Sequence, residues 1–149
     1  MTVSDPRATP ITRWSASLPA LVWALLILVL LSLPGSSFPS VRIWQPDKIA
    51  HVLLFGMQTL LLWYALVLPS EQNIWKWKAA LTAWAVTSAF GALSEVYQDL
   101  ATSRMMDPWD MLANVAGATI ALLVMRGIGA ARLLYPAQLL LGRNARRIR

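Results

Sequence analysis

Asp47, Lys48 and His51 open one apolar run, "PDKIAHVLLFGMQ". Glu95, Gln98, Arg104, Asp107, Asp110 and Asn114 fall together in "GALSEVYQDLATSRMMDPWDMLANVAGA", between two others. Carboxylates, amides, an imidazole and two cations at these spacings suit three kinds of chemistry. Lys48 and Arg104 can hold an anionic group while Glu95, Gln98, Asp110 and Asn114 orient them and bond to hydroxyls or amides. Alternatively His51, one helical turn after Asp47, or Glu95 in partly apolar surroundings can act as a general base on a lipid-linked phosphate or glycosyl substrate, with the cations stabilising developing negative charge. The third use is structural: such a set can be a buried clasp that fixes how helices pack. We rank binding first, the clasp second and catalysis third, and assign no catalytic residue.

Several chemistries drop out. The sequence has no cysteine and a single histidine, so a thiolate site and a multi-histidine metal centre are both excluded. No spacing matches a nucleophile elbow, a hydrolase or a zinc motif. A divalent cation among Glu95, Asp107 and Asp110 is not needed for charge balance beside two basic residues. The expectation is therefore no metal and no cofactor. Some of these residues also have simpler roles. "DPWD" at 107–110 has the form of a helix start, with Asp107 as N-cap and Pro108 at the first helical position. Asp47 suits a helix N-terminus through the dipole. Glu95 and Asn114 lie about a turn inside apolar segments, where no cap is needed.

The elements that must position these groups are membrane helices. The chain of 149 residues is 57% hydrophobic and 13% charged, against about 25% charged in an average soluble domain. Four apolar segments, 18–33, 49–68, 79–96 and 111–125, approach the roughly 20 residues that cross a bilayer core as a helix. Pro34, Gly35 and Pro69 end the first two. Trp44, Trp63, Trp75, Trp77 and Trp109 lie near segment ends, the headgroup level that suits an indole. The expected fold is all-α: an integral membrane bundle of four transmembrane helices over 18–125, after a cytoplasmic segment 1–17 and before a basic interfacial or cytoplasmic tail, 126–149. The first apolar run is read as retained rather than cleaved.

On helices, Asp47, His51 and Gln58 share one face, as do Gly91, Glu95, Gln98 and Asp99, and so do Asp107, Asp110, Asn114, Gly117 and Ala121. Polar groups are costly against lipid, by about 2.5–3.5 kcal/mol per Asp or Lys at the bilayer centre, so these stripes should turn toward one another. Ala113, Gly117 and Ala121 form a small-residue ridge for close helix approach. Four spans place ten of the 13 Lys and Arg residues on the side of both termini and three on the other. The positive-inside rule then makes both termini cytoplasmic and the polar loops extracytoplasmic. The basic tail suits anionic lipid rather than nucleic acid.

The ordered set Asp47-Lys48-x-x-His51, Glu95-x-x-Gln98, Arg104, Asp107-x-x-Asp110 and Asn114-x-x-Gly117 resembles the VanZ-like family of small polytopic membrane proteins. The resemblance covers Asp47 to about Met125, and departs at Ala121, where a second glycine is frequent. It implies a multi-pass protein of the bacterial cytoplasmic (inner) membrane with a role in the cell envelope. Its founding member is associated with glycopeptide resistance, and the family brings no settled activity or cofactor. The ligand it implies is an envelope lipid headgroup, a lipid-linked cell-wall intermediate or a glycopeptide-like molecule. It leaves protein partners and oligomeric state open.

Overall fold

A computed structural model describes residues 13–33, 46–68, 75–102 and 105–128. These are four α-helices: α1 (Arg13–Ser32), α2 (Pro46–Val67), α3 (Trp75–Ala101) and α4 (Pro108–Ile128). All four are long and apolar enough to cross a membrane. Arg104 and the tail beyond Ile128 lie outside the described residues, as does the whole segment before α1, residues 1–12.

Each helix is longer than the apolar run that marks it, because polar residues at its ends continue the helical backbone. The difference is greatest in α3, whose 27 residues span about 40 Å at 1.5 Å per residue, against a hydrocarbon core of about 30 Å. Glu95 and Gln98 therefore lie inside the helix, not in a connecting loop. At the start of α4 the Asp107 carboxylate accepts the Trp109 amide (2.8 Å), and the Asp107 carbonyl accepts the amides of Asp110 and Met111. This is the expected N-cap, with Pro108 at a position where a missing N–H costs nothing.

The helices alternate in direction, and α2 packs most extensively on α4. The sequence explains why. Ala113, Gly117 and Ala121 are all buried along one side of α4, and Gly117 meets α2 at Gly56. A Cβ on Gly117 would fall inside the contact shell of the Val52 carbonyl and 3.0 Å from the Gly56 nitrogen, while one on Gly56 would lie 3.2 Å from the Gly117 oxygen. Backbone meets backbone here, which only small residues permit. α3 lies against both helices through a buried face of small residues, Ala80, Ala83, Thr87, Gly91 and Ser94. α1 rests mainly on α2, where the Trp23 indole donates to the Leu54 carbonyl (3.0 Å). Its thinner contact with α3 leaves an apolar groove of about 590 Å³.

The interior divides along its length. At the end where α1 begins and α4 finishes the packing is apolar: Trp63, Val67, Ala80, Ala83 and Met125. Trp63 is only 3% exposed and so is not a headgroup anchor; its ring fills the space left by the two alanines of α3. Trp77 and Trp109 are exposed near helix ends, as an interfacial indole would be. In the middle, Phe55, Ile27 and Leu31 form a second apolar cluster with Trp23, Leu54 and Phe90 against it. Beyond this layer, toward the starts of α2 and α4, the interior becomes polar.

Candidate functional site

The polar layer is built from one or two turns of three helices. His51 is five residues into α2, Glu95 six before the end of α3, and Asn114 six past the start of α4. At 1.5 Å per residue each lies about 8–9 Å below its helix end. All three are at most 1% exposed, and Asp110 is 3% exposed.

His51 is the hub. Its ring stacks on Phe55, with centroids 6.3 Å apart and planes within 4°. Nδ1 is 2.8 Å from Asn114 Oδ1 and 3.8 Å from Glu95 Oε1. Nε2, on the opposite edge, faces Asp110 Oδ2 at 3.7 Å and Asp47 Oδ1 at 4.0 Å. Asn114 Nδ2 donates to the Gly91 carbonyl (3.3 Å), so its oxygen is the atom turned toward histidine. The absence of a side chain at Gly91 makes this possible, since a Cβ there would lie 2.8 Å from Asn114 Cβ. One asparagine thus connects α2, α3 and α4.

Lys48 occupies the rim and binds both Asp107 and Asp110. Asp107 serves two partners, giving one oxygen to Lys48 and the other to the Trp109 amide. The Lys48 ammonium, then the Trp109 N–H, hold the Asp107 carboxyl below its ordinary value of 3.8. Lys48 is therefore already paired with two carboxylates of the protein. It does not reach Glu95, which sits deeper.

Glu95 stands apart. It is 0% exposed, and neither carboxylate oxygen has a hydrogen-bond partner among the described residues. His51, Asp110, Asn114 and the Asp107 amide are close enough to act on it electrostatically, but none bonds to it with good geometry. Around His51 and Lys48 the described carboxylates are Asp47, Glu95, Asp107 and Asp110, facing one ammonium. Among the described residues the layer is rich in acceptors and poor in donors.

Not every residue of the three polar stripes joins this layer. Gln98 is buried but turns to α1, donating to the Leu31 carbonyl (3.1 Å). Asp99 is exposed and accepts the Met106 amide. Gln58 is buried one helical turn below Phe55, and its oxygen has no partner among the described residues. Conversely, Gly56 and Gly91 matter through what they omit. Their signal in the sequence is a small residue at helical spacing from a buried polar one. In comparisons with protein-family models, curated proteins and solved structures, nothing matches this chain.

Proposed function

We propose that this chain is a VanZ-like protein of the bacterial cytoplasmic membrane. In this reading both termini are cytoplasmic, and the polar layer is a pocket at the extracytoplasmic face for the headgroup of an envelope lipid or a glycopeptide-like ligand. The observation that carries the binding role is Glu95. A helix clasp satisfies its own polar groups, since an unpartnered buried carboxylate costs several kcal/mol. A carboxylate kept dry, adjoining an acid-rich layer whose rim at Asp47, Lys48 and Asp107 is partly exposed, is what a site awaiting a donor would contain. Carboxylates accept and do not donate, so the group that enters presents hydroxyl, amide or ammonium hydrogens. Lys48 then acts by holding Asp107 and Asp110 in place.

Native mass spectrometry of the protein released from membranes in mild detergent tests this. The expected result is a retained lipid or glycopeptide-like molecule bearing such donors. Glu95→Gln should cut retention roughly tenfold or more, the equivalent of one charge-assisted hydrogen bond of about 1.5–3 kcal/mol. The variant should stay folded, with a melting temperature equal to or above that of the unmodified protein, because no protein hydrogen bond is lost. A clasp gives the opposite pair of results: unchanged retention and a destabilised bundle. That second reading draws on the chain from His51 through Asn114 to Gly91, which by itself ties three helices together.

A further inference from the structure

We propose that a divalent transition-metal ion binds between Asp47, His51 and Asp110, coordinated by His51 Nε2 and one oxygen of each aspartate. The first support is spacing. One ligand atom from each of these residues lies within 4.8 Å of the other two, with Nε2 at 3.7 Å from Asp110 and 4.0 Å from Asp47. Those separations are too long for hydrogen bonds. They suit two ligands of one ion, because metal bonds of about 2.0–2.2 Å place neighbouring ligands about 3–4 Å apart.

The second support is the direction of the histidine proton, fixed from the far side of the ring. Asn114 must use its NH₂ group for the Gly91 carbonyl, so its oxygen faces Nδ1, and Nδ1 is the nitrogen that carries hydrogen. In the neutral ring Nε2 then directs a lone pair at two carboxylate oxygens. A cation between them turns three repelling groups into a coordination set. An orienting hydrogen bond on the opposite nitrogen is the usual companion of a metal-bound histidine.

The third support is Glu95. It is fully buried, neither oxygen has a partner among the described residues, and Oε1 lies 3.8 Å from the same ring. Lys48 supplies the one ammonium among the layer's described residues and is shared by Asp107 and Asp110, so it does not serve Glu95. A doubly charged ion held at Nε2 would stabilise the ionised form of Glu95 from the ring's other edge. One imidazole with carboxylates suits Zn²⁺ or Mn²⁺ better than the harder Mg²⁺ or Ca²⁺. Asp47 lies at the rim, with its side chain 49% exposed, and gives the ion a way in from the membrane face. This ligand set differs from the Glu95, Asp107 and Asp110 trio weighed from the sequence, because Asp107 gives both oxygens to Lys48 and the Trp109 amide, whereas Asp110 gives one to Lys48 and turns the other to His51.

The proposal does not depend on the headgroup reading, so its probe is the ion alone. The full-length protein, in neutral detergent and stripped with EDTA, is titrated with Mn²⁺ while the free-ion electron paramagnetic resonance signal is followed; Zn²⁺ is then added as competitor. One Mn²⁺ per chain, displaced by Zn²⁺, is the expected result. Asp47→Asn should weaken binding at least tenfold, and Asn114→Ala by roughly tenfold or more, the range found for groups that orient a metal-bound histidine. Asp47→Asn changes an exposed rim residue, so its size-exclusion profile and melting temperature should match the unmodified protein's. Failure of the unmodified chain to take up either ion overturns the proposal. So does an Asp47→Asn variant that binds Mn²⁺ as tightly as the parent. A chain that binds the ion but retains no lipid defeats the headgroup reading alone, and the converse result defeats only the metal.

Discussion

The two ends of this bundle are held by different physics. Where α1 begins and α4 ends, Trp63 packs against Ala80 and Ala83 with Val67 and Met125 around it in an apolar cluster. Near the starts of α2 and α4 the same helices are joined by directional bonds: Asn114 between His51 and Gly91, and Lys48 across Asp107 and Asp110. Against lipid, apolar packing gains little from the hydrophobic effect and depends on close fit. Polar contacts cost more to misplace, so they set which helix face meets which. The apolar end contributes bulk contact, and the polar end contributes register and, in our reading, chemistry. The Gly56–Gly117 crossing lies between the ends and belongs to both.

That contrast can be broken most forcefully at the crossing. Gly117→Val would drive a side chain into the backbone of α2 at Val52 and Gly56, and no rotamer relieves a clash at Cβ. We expect a loss of about 3 kcal/mol or more, at the upper end of overpacking costs, read as failure to accumulate or as a large drop in thermal stability in detergent. A variant with normal stability would show that α2 and α4 do not approach this closely. Trp63→Ala should have a smaller effect, about 1–2 kcal/mol, because the transfer term seen in soluble cores fades where lipid is the alternative and the cavity term remains. It should leave lipid and metal binding at the other end unchanged; altered binding would mean that the two ends are not separate.

The smallest expected effect concerns acid. Because Lys48 and the Trp109 amide hold the Asp107 carboxyl below 3.8, its contribution to stability is fully present above that value and is lost as the pH falls through its depressed folded value. Melting temperatures measured from pH 6 down to pH 3 should therefore decline at the acidic end, and Asp107→Asn should flatten part of that decline. An identical acid limb in the variant would remove Asp107 from the account.

Much of this arrangement was legible in the sequence, and the omissions have physical causes. The number of helices follows from apolar run length, and the stripes through His51, Glu95 and Asn114 follow from helical spacing. Spacing gives the face of a helix but not the height or rotation of its neighbours. Lys48 therefore pairs with Asp107 and Asp110 at its own level, while Glu95, deeper in the bundle, is left unpaired. Gln98 meets a backbone carbonyl of α1, and a carbonyl leaves no trace in residue identity. Trp63 looked like an interfacial anchor from its position near a segment end. Its burial depends on Ala80 and Ala83, whose small size matters only once α3 is seen to pack there. Gly56 and Gly91 had the weakest signal, since the information lies in an absent side chain. The resemblance to the VanZ-like family rests on the same polar residues and remains part of the proposal.

The central claim is that side chains from α2, α3 and α4 share one buried polar layer with His51 at its hub. The chain has a single histidine, so nitrogen-15 magnetic resonance of protein labelled only at histidine reports on that one ring. In metal-free protein we predict a Nδ1-protonated ring protected from exchange with water, whose signals shift in Asn114→Ala and in Glu95→Gln but not in Trp63→Ala. A freely exchanging imidazole that responds to neither Asn114 nor Glu95 would contradict the shared layer and everything built on it.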